Sequence, residues 1–124
     1  MFGREGVKLE NIIIEAFKEG QKIDLDGIAY GISHFDGSII TSPSSYYYFL
    51  AGLVKAQGMS RILEIGTYCG GSILSMYKAA SVREGSIPKI VTCDITDDSD
   101  MKLKDYPDII KVVGDANEGA ENFV

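Results

Sequence analysis

Residues 61–72, RILEIGTYCGGS, decide the fold of this chain. The apolar run ILEI at residues 62–65 is typical of a short, buried strand of a parallel sheet. Glycines follow it at positions 66, 70 and 71, and a helical pattern begins directly after them. A strand that leads through a glycine-rich turn into a helix is the first unit of an α/β sheet.

The chain beyond this turn continues the alternation of strand and helix. A helix is predicted over residues 70–82, with a buried side made of Ile73, Leu74, Met76, Tyr77 and Ala80. Further strands are predicted at Lys89–Asp94 and at residues 108–114, and residues 117–124 begin another helix. This order predicts three parallel strands with flanking helices, as at the start of a doubly wound α/β domain.

Two amphipathic helices are predicted before the first strand. The first spans residues 7–19, and Gly20 follows it as a typical helix end. The second is expected to have Ser42 as its N-cap and Pro43 as its first residue, and to end at Gly58. Their predicted apolar stripes are Leu9, Ile12, Ile13, Ala16 and Phe17 in the first helix, and Tyr46, Phe49, Leu50, Leu53 and Val54 in the second.

Residues 20–42 are the least regular part of the chain. Two Asp-Gly turn signals, at residues 26–27 and 36–37, flank a short apolar piece, which fits either a hairpin or a mobile covering loop. The only histidine, His34, is either a general base near a substrate or an exposed loop residue. We therefore expect an N-terminal helix and irregular covering segment at residues 1–40, and a partial α/β domain at residues 41–124.

Composition narrows the classes of protein to consider. The 124 residues suit one domain, and a hydrophobic fraction of 45% is typical of a globular chain. A net charge of −6 argues against nucleic acid as the main partner, because that binding depends on clustered lysine and arginine. No apolar run approaches the roughly 20 residues that span a bilayer, and the charged N-terminus does not fit a secretory signal.

The two cysteines, Cys69 and Cys93, lack the spacing of metal ligands. A disulfide between them is one alternative, and two isolated thiols of an intracellular enzyme are the other. We favour free thiols, a cytoplasmic location and no metal site. Together with the composition, this predicts neither a membrane partner nor a nucleic-acid partner.

The turn after the first strand indicates a ligand site, since ligands of open α/β sheets bind at the carboxyl ends of the strands. The glycine spacing is G-x-x-x-G-G-S, which fits neither the dinucleotide motif G-x-G-x-x-G nor a phosphate-binding loop ending in Gly-Lys-Ser or Gly-Lys-Thr. Two carboxylates accompany the turn: Glu64 lies inside the first strand, and Asp94 ends the second, where a ribose-binding acid belongs.

At these residues the chain resembles class I S-adenosylmethionine-dependent methyltransferases. EIGTYCGGS at residues 64–72 is similar to their first motif, and most of all to the branch that contains cephalosporin hydroxylase-like proteins and sugar or macrolide O-methyltransferases. VTCDI at residues 91–95 and VVGDA at residues 112–116 resemble the second and third motifs. The likeness covers roughly residues 41–116 and implies a Rossmann-like methyltransferase fold.

The resemblance also implies a role for each matching residue. Glu64 would orient the methionine amino group of S-adenosylmethionine. Asp94 would hold the ribose hydroxyls, with Ile95 against the adenine face. Asp115 and the backbone of Ala116 would contact the adenine edge. The turn would wrap the methionine part of the cofactor with Gly66, Thr67, Tyr68, Gly70, Gly71 and Ser72.

Four of these residues also have a purely structural alternative. Glu64 would be a surface residue on an edge strand, and Ser72 a favoured first-turn residue. Asp94 would belong to a solvated acidic loop with three neighbouring aspartates. Asp115 would be a helix N-cap, with Glu118 completing a capping pattern.

The functional expectation is S-adenosylmethionine binding as part of a methyltransferase, acting on the oxygen of a small molecule or sugar. No catalytic residue can be assigned. In this family the fourth strand and the loops after it supply the catalytic or metal-binding acids, and we expect those parts beyond Val124 in a longer protein. Two alternatives remain. One is a hydroxylase-like chemistry on the same fold, and the other is a non-catalytic module that assembles, as a homo-oligomer, through its open sheet edge.

Overall fold

A computed structural model of the chain describes residues 8–28, 31–32, 35–36, 38–40, 43–67, 70–81, 88–96, 103 and 105–124. Its helices are α1 (Leu9–Gly20), α2 (Ser45–Gln57), α3 (Gly71–Ser81) and α4 (Ala116–Phe123). Two short strands, β1 (Gly31–Ile32) and β2 (Ile39–Ile40), pair as an antiparallel hairpin, one of the two arrangements expected there. The main strands are β3 (Arg61–Ile65), β4 (Lys89–Asp94) and β5 (Ile109–Val113).

The main sheet has the order β3-β4-β5 and both of its strand pairs are parallel, which confirms the predicted α/β class and the positions of all three strands. One face of the sheet contributes Ile62, Ile90 and Ile109 to the hydrophobic core, which also includes residues of α2 and α3. The opposite face carries Cys93, and α4 packs there. Helices therefore cover both faces of the sheet, and its carboxyl edge lies between them.

The crossing of α1 and α2 corrects the prediction that the first helix ends before Gly20. This glycine is the last residue of α1, and Gln21 is the C-cap. A Cβ atom at Gly20 would collide with the Tyr48 carbonyl oxygen, and one at Gly52 would collide with the Ala16 carbonyl oxygen. Glycine is therefore needed because the two helix backbones touch, and α1 packs on the main body through this contact.

The same crossing explains why both predicted apolar stripes are partly wrong. In α1 the buried residues are Ile12, Ala16 and Gly20, whereas Leu9 is 66% exposed and Ile13 is 38% exposed. In α2 the buried residues are Ala51, Gly52 and Val54, whereas Tyr46 is 58% exposed. Close backbone contact selects the faces that carry the smallest side chains, and hydrophobicity alone does not identify them.

Several helix ends differ from the predictions by one or two residues. The N-cap of α2 is Ser44, in an extended conformation, so Pro43 precedes the helix. The predicted N-cap, Ser42, lies outside the described residues, as does Thr41. Gly58 ends α2 with a left-handed φ of 64°, as predicted. None of the helices in the described ranges is both long and apolar enough to cross a membrane.

Candidate functional site

The turn between β3 and α3 depends on two glycines with left-handed backbone angles. Gly66 has a φ of 98° and Gly70 a φ of 89°, values that residues with a Cβ rarely adopt. The Gly66 N–H donates to the Cys93 carbonyl oxygen at 2.7 Å, which joins the turn to the end of β4. The Gly70 N–H donates to the Thr67 carbonyl oxygen at 2.9 Å. Since Gly70 is not helical, α3 begins one residue later than predicted, at Gly71, and Ser72 is half-buried in its first turn.

Three polar side chains form a hydrogen-bonded chain beside this turn. The Thr92 hydroxyl donates to Glu64 Oε1 at 2.8 Å, and the Oγ1 atoms of Thr67 and Thr92 lie 2.7 Å apart. Thr92 is fully buried and Thr67 is 5% exposed. Thr92 was missed by the sequence reasoning, although a hydroxyl two residues before Asp94 in an otherwise apolar strand was a usable signal.

Glu64 is half-buried although β3 lies at the edge of the described sheet. Burial raises the pKa of its carboxyl group to about 7; the Thr92 hydrogen bond opposes this rise, and the negative charge of Asp94 adds to it. Among the residues that the structure describes, no cationic side chain pairs with Glu64. A desolvated carboxylate in this state gains most from a ligand that brings its own positive charge.

A cleft of about 250 Å³ opens at the carboxyl edge of the sheet. The structure brings together in its lining five of the predicted site residues, which are Gly66, Asp94, Ile95, Asp115 and Ala116. Three further lining residues, not predicted, are Ile65, Cys93 and Gly114. The other described candidates do not line this cleft: Glu64 lies in β3, Thr67 and Gly70 in the turn, and Gly71 and Ser72 at the start of α3.

The two aspartates of the cleft also make local backbone contacts. Asp94 Oδ1 accepts a hydrogen bond from the Thr96 N–H at 3.2 Å. Asp115 is the N-cap of α4, and its Oδ1 accepts from the Glu118 N–H at 3.0 Å, so the capping alternative for Asp115 is confirmed. Capping engages Oδ1 of Asp115, and the second carboxylate oxygen, Oδ2, is an acceptor that a ligand can use.

Close packing brings α4 against the cleft. A Cβ atom at Gly119 would lie 2.5 Å from Cys93 Sγ, and one at Gly114 would collide with the Glu118 carboxylate. Burial raises the pKa of the Cys93 thiol, and the charges of Asp94 and Asp115 add to this, so the surroundings favour the protonated thiol over the thiolate. Cys93 is free, as predicted.

The electrostatics and surface of the cleft restrict its ligands. Asp94 and Asp115 make it acidic, which disfavours phosphates and favours cations and hydroxyl groups. Ile65 is 57% exposed and Ile95 is 77% exposed, so its lining also offers apolar surface to a flat ligand. Across the described ranges, no group of three or more histidine, cysteine, aspartate or glutamate residues is placed to hold a metal ion.

Three residues singled out in the sequence, Tyr68, Cys69 and His34, lie outside the described residues. Comparisons with protein-family models, with curated proteins and with solved structures found no match to this chain.

Proposed function

We propose that this chain binds S-adenosylmethionine, as the cofactor-binding part of a methyltransferase that modifies an oxygen atom of a small molecule or sugar. The observation that carries the proposal is the convergence of Gly66, Asp94, Ile95, Asp115 and Ala116 on one acidic cleft at the carboxyl edge of parallel strands. These residues come from three separate segments of the chain. Each lies at a position that the motif resemblance had marked as cofactor-binding.

The chemistry of the donor set fits the two halves of the cofactor. Asp94 supplies a carboxylate that can accept hydrogen bonds from two vicinal ribose hydroxyls, and Ile95 offers an apolar contact for adenine. The cleft residues therefore fit the adenosine half, and no residue of the turn beyond Gly66 lines the cleft among those described. The methionine half would extend along the turn, where Glu64 can pair with its ammonium group.

The acidic surroundings also suit the charge of the ligand. S-adenosylmethionine carries a sulfonium and an ammonium group, and both are attracted by Glu64 and Asp94. When bound, the cofactor supplies an electrophilic methyl group, while the protein binds and orients it. These residues thus support the proposed cofactor binding, and the proposal assigns no group that activates the methyl acceptor.

Calorimetric titration of S-adenosylmethionine and S-adenosylhomocysteine into the protein tests the proposal. We expect saturable binding of both ligands and at least about tenfold weaker binding in Asp94→Ala, since a bidentate contact to the ribose is lost. Asp105→Ala is the matched control, because it removes the same charge from an exposed side chain that does not line the cleft. Absence of binding at millimolar ligand would refute the proposal.

Assembly through the sheet edge is a second candidate function. It is favoured by one observation: β3 has a strand neighbour on only one side among the described residues. An open edge can pair with another chain. A discrete oligomer in light scattering, formed by a protein that binds neither ligand, would favour assembly over cofactor binding.

A further inference from the structure

The buried hydroxyl of Thr92 stands out among the neighbours in its strand. Val91 and Thr92 are fully buried, and Ile90 and Cys93 are 1% exposed, so the centre of β4 is sealed from water. Valine has the same shape as threonine and would avoid the cost of burying a hydroxyl group. Packing alone would therefore favour an apolar side chain at this position, and the hydrogen bonds of the hydroxyl group offset the cost of its burial.

Those hydrogen bonds have a defined direction. A hydroxyl group has one proton to donate. Because Thr92 donates to Glu64 Oε1, the proton of the 2.7 Å contact between the two threonines must come from Thr67. While Glu64 is ionised, both hydrogen bonds thus point the same way: Thr67 donates to Thr92, and Thr92 donates to Glu64. The buried Thr92 hydroxyl therefore fixes the positions of both the Glu64 carboxylate and the Thr67 side chain.

We propose that Thr92 is a positioning residue of the ligand site, whose hydroxyl holds the Glu64 carboxylate and the Thr67 side chain in fixed relation to the glycine turn. The proposal rests on the proposed function, because the groups that Thr92 holds would contact the methionine half of the cofactor. Thr92 itself does not line the cleft that would hold the adenosine half. Its effect should therefore be confined to ligands that carry the amino-acid part.

Two ligands and two variants separate this role from general damage to the fold. S-adenosylhomocysteine carries the amino-acid part, and 5′-methylthioadenosine lacks it. Thr92→Val should weaken binding of the first about tenfold, the loss expected for one hydrogen bond to a charged group, and change binding of the second less than about twofold. Thr92→Ser keeps the hydroxyl and should restore binding of S-adenosylhomocysteine to within about threefold of the wild-type protein.

A second readout needs no ligand. The charged and titratable neighbours of Glu64 on β4 are Asp94 and Cys93, and Thr92→Val changes neither of them. Removing the donated hydrogen bond should shift the carboxyl titration of Glu64 to higher pH, which carbon NMR of labelled glutamate detects. Thr92→Ser should titrate as the wild-type protein does.

Three outcomes would overturn the role of Thr92. These are equal weakening of both ligands in Thr92→Val, unchanged binding of S-adenosylhomocysteine, and a Glu64 titration identical to that of the wild-type protein. Failure of the wild-type protein to bind either ligand would instead refute the proposed function. The titration experiment would still report whether the hydroxyl orders Glu64, so the two failures are distinguishable.

Discussion

Replacing Glu64 by glutamine should stabilise the protein, and the gain should grow as the pH rises. The pKa of Glu64 is raised from 4.5 to about 7 by burial, so the folded protein binds its proton more tightly than the unfolded chain does. Between these two values the folded state carries more protons, and the free energy of unfolding of the wild-type protein therefore falls with increasing pH. Glutamine is neutral throughout and does not incur this loss.

The size of the effect follows from the shift. One pKa unit corresponds to about 1.4 kcal/mol, so the full cost of ionising Glu64 in the folded state is about 3 kcal/mol. Roughly 2 kcal/mol of this loss in the free energy of unfolding occurs between about pH 5.5 and about pH 8.5, the two pH values to be compared. A weaker hydrogen bond from Thr92 to the amide oxygen would lower the stability of the variant by about 1 kcal/mol at both pH values. The pH-dependent part of the difference is therefore diagnostic.

Urea denaturation of the wild-type protein and Glu64→Gln at the two pH values measures this difference. Glu121→Gln serves as the control, because it removes one charge from an exposed residue of α4 and so accounts for the change in net charge. A stability difference between wild type and Glu64→Gln that is the same at both pH values would refute the assignment of Glu64 as a desolvated carboxylate.

Three further predictions concern packing, capping and ligand binding. Gly20→Ala should lower the free energy of unfolding by about 3 kcal/mol in urea denaturation, because the new Cβ atom would collide with backbone. Gly27→Ala has open space around it and should lower the free energy of unfolding by only about 1 kcal/mol, because of its φ of 84°. Asp115→Ala should lower stability by about 1 kcal/mol through loss of the α4 cap, and Asp115→Asn should retain it; equal losses would contradict the capping role. In the proposed site the ammonium group of S-adenosylhomocysteine would pair with ionised Glu64. Binding of this ligand should therefore weaken up to about tenfold per pH unit below pH 7, whereas 5′-methylthioadenosine should bind independently of this titration.

The strands were predictable because each is a short apolar run bounded by turn residues. The second strand matched its prediction at both ends, since Pro88 precedes Lys89 and a polar segment follows Asp94. Parallel pairing then followed from the alternation of strand and helix. The strand order β3-β4-β5 agrees with consecutive strands lying side by side.

Helix faces were less predictable, because burial in α1 and α2 depends on a contact between two distant segments. Gly20 and Gly52 have no hydrophobic side chain, so a stripe drawn from apolar residues misses the face on which the helices touch. A glycine near the end of a helical pattern has two physical explanations, a left-handed end or a close approach. Gly58 ends α2 in a left-handed conformation, whereas Gly20 allows the close approach of α2. The sequence of one helix cannot separate these explanations, because the close approach depends on the partner helix.

The site itself divides into two parts that the motif pattern did not separate. Strand ends and the start of α4 line the cleft, because parallel strands bring Gly66, Asp94 and Asp115 to one edge. Glu64 and Thr67 lie instead beside the turn, joined through Thr92, a residue that no motif had marked. A ligand with a neutral, hydroxyl-rich half and a cationic half would match this division. Ligands that carry only one half therefore distinguish the two parts of the site.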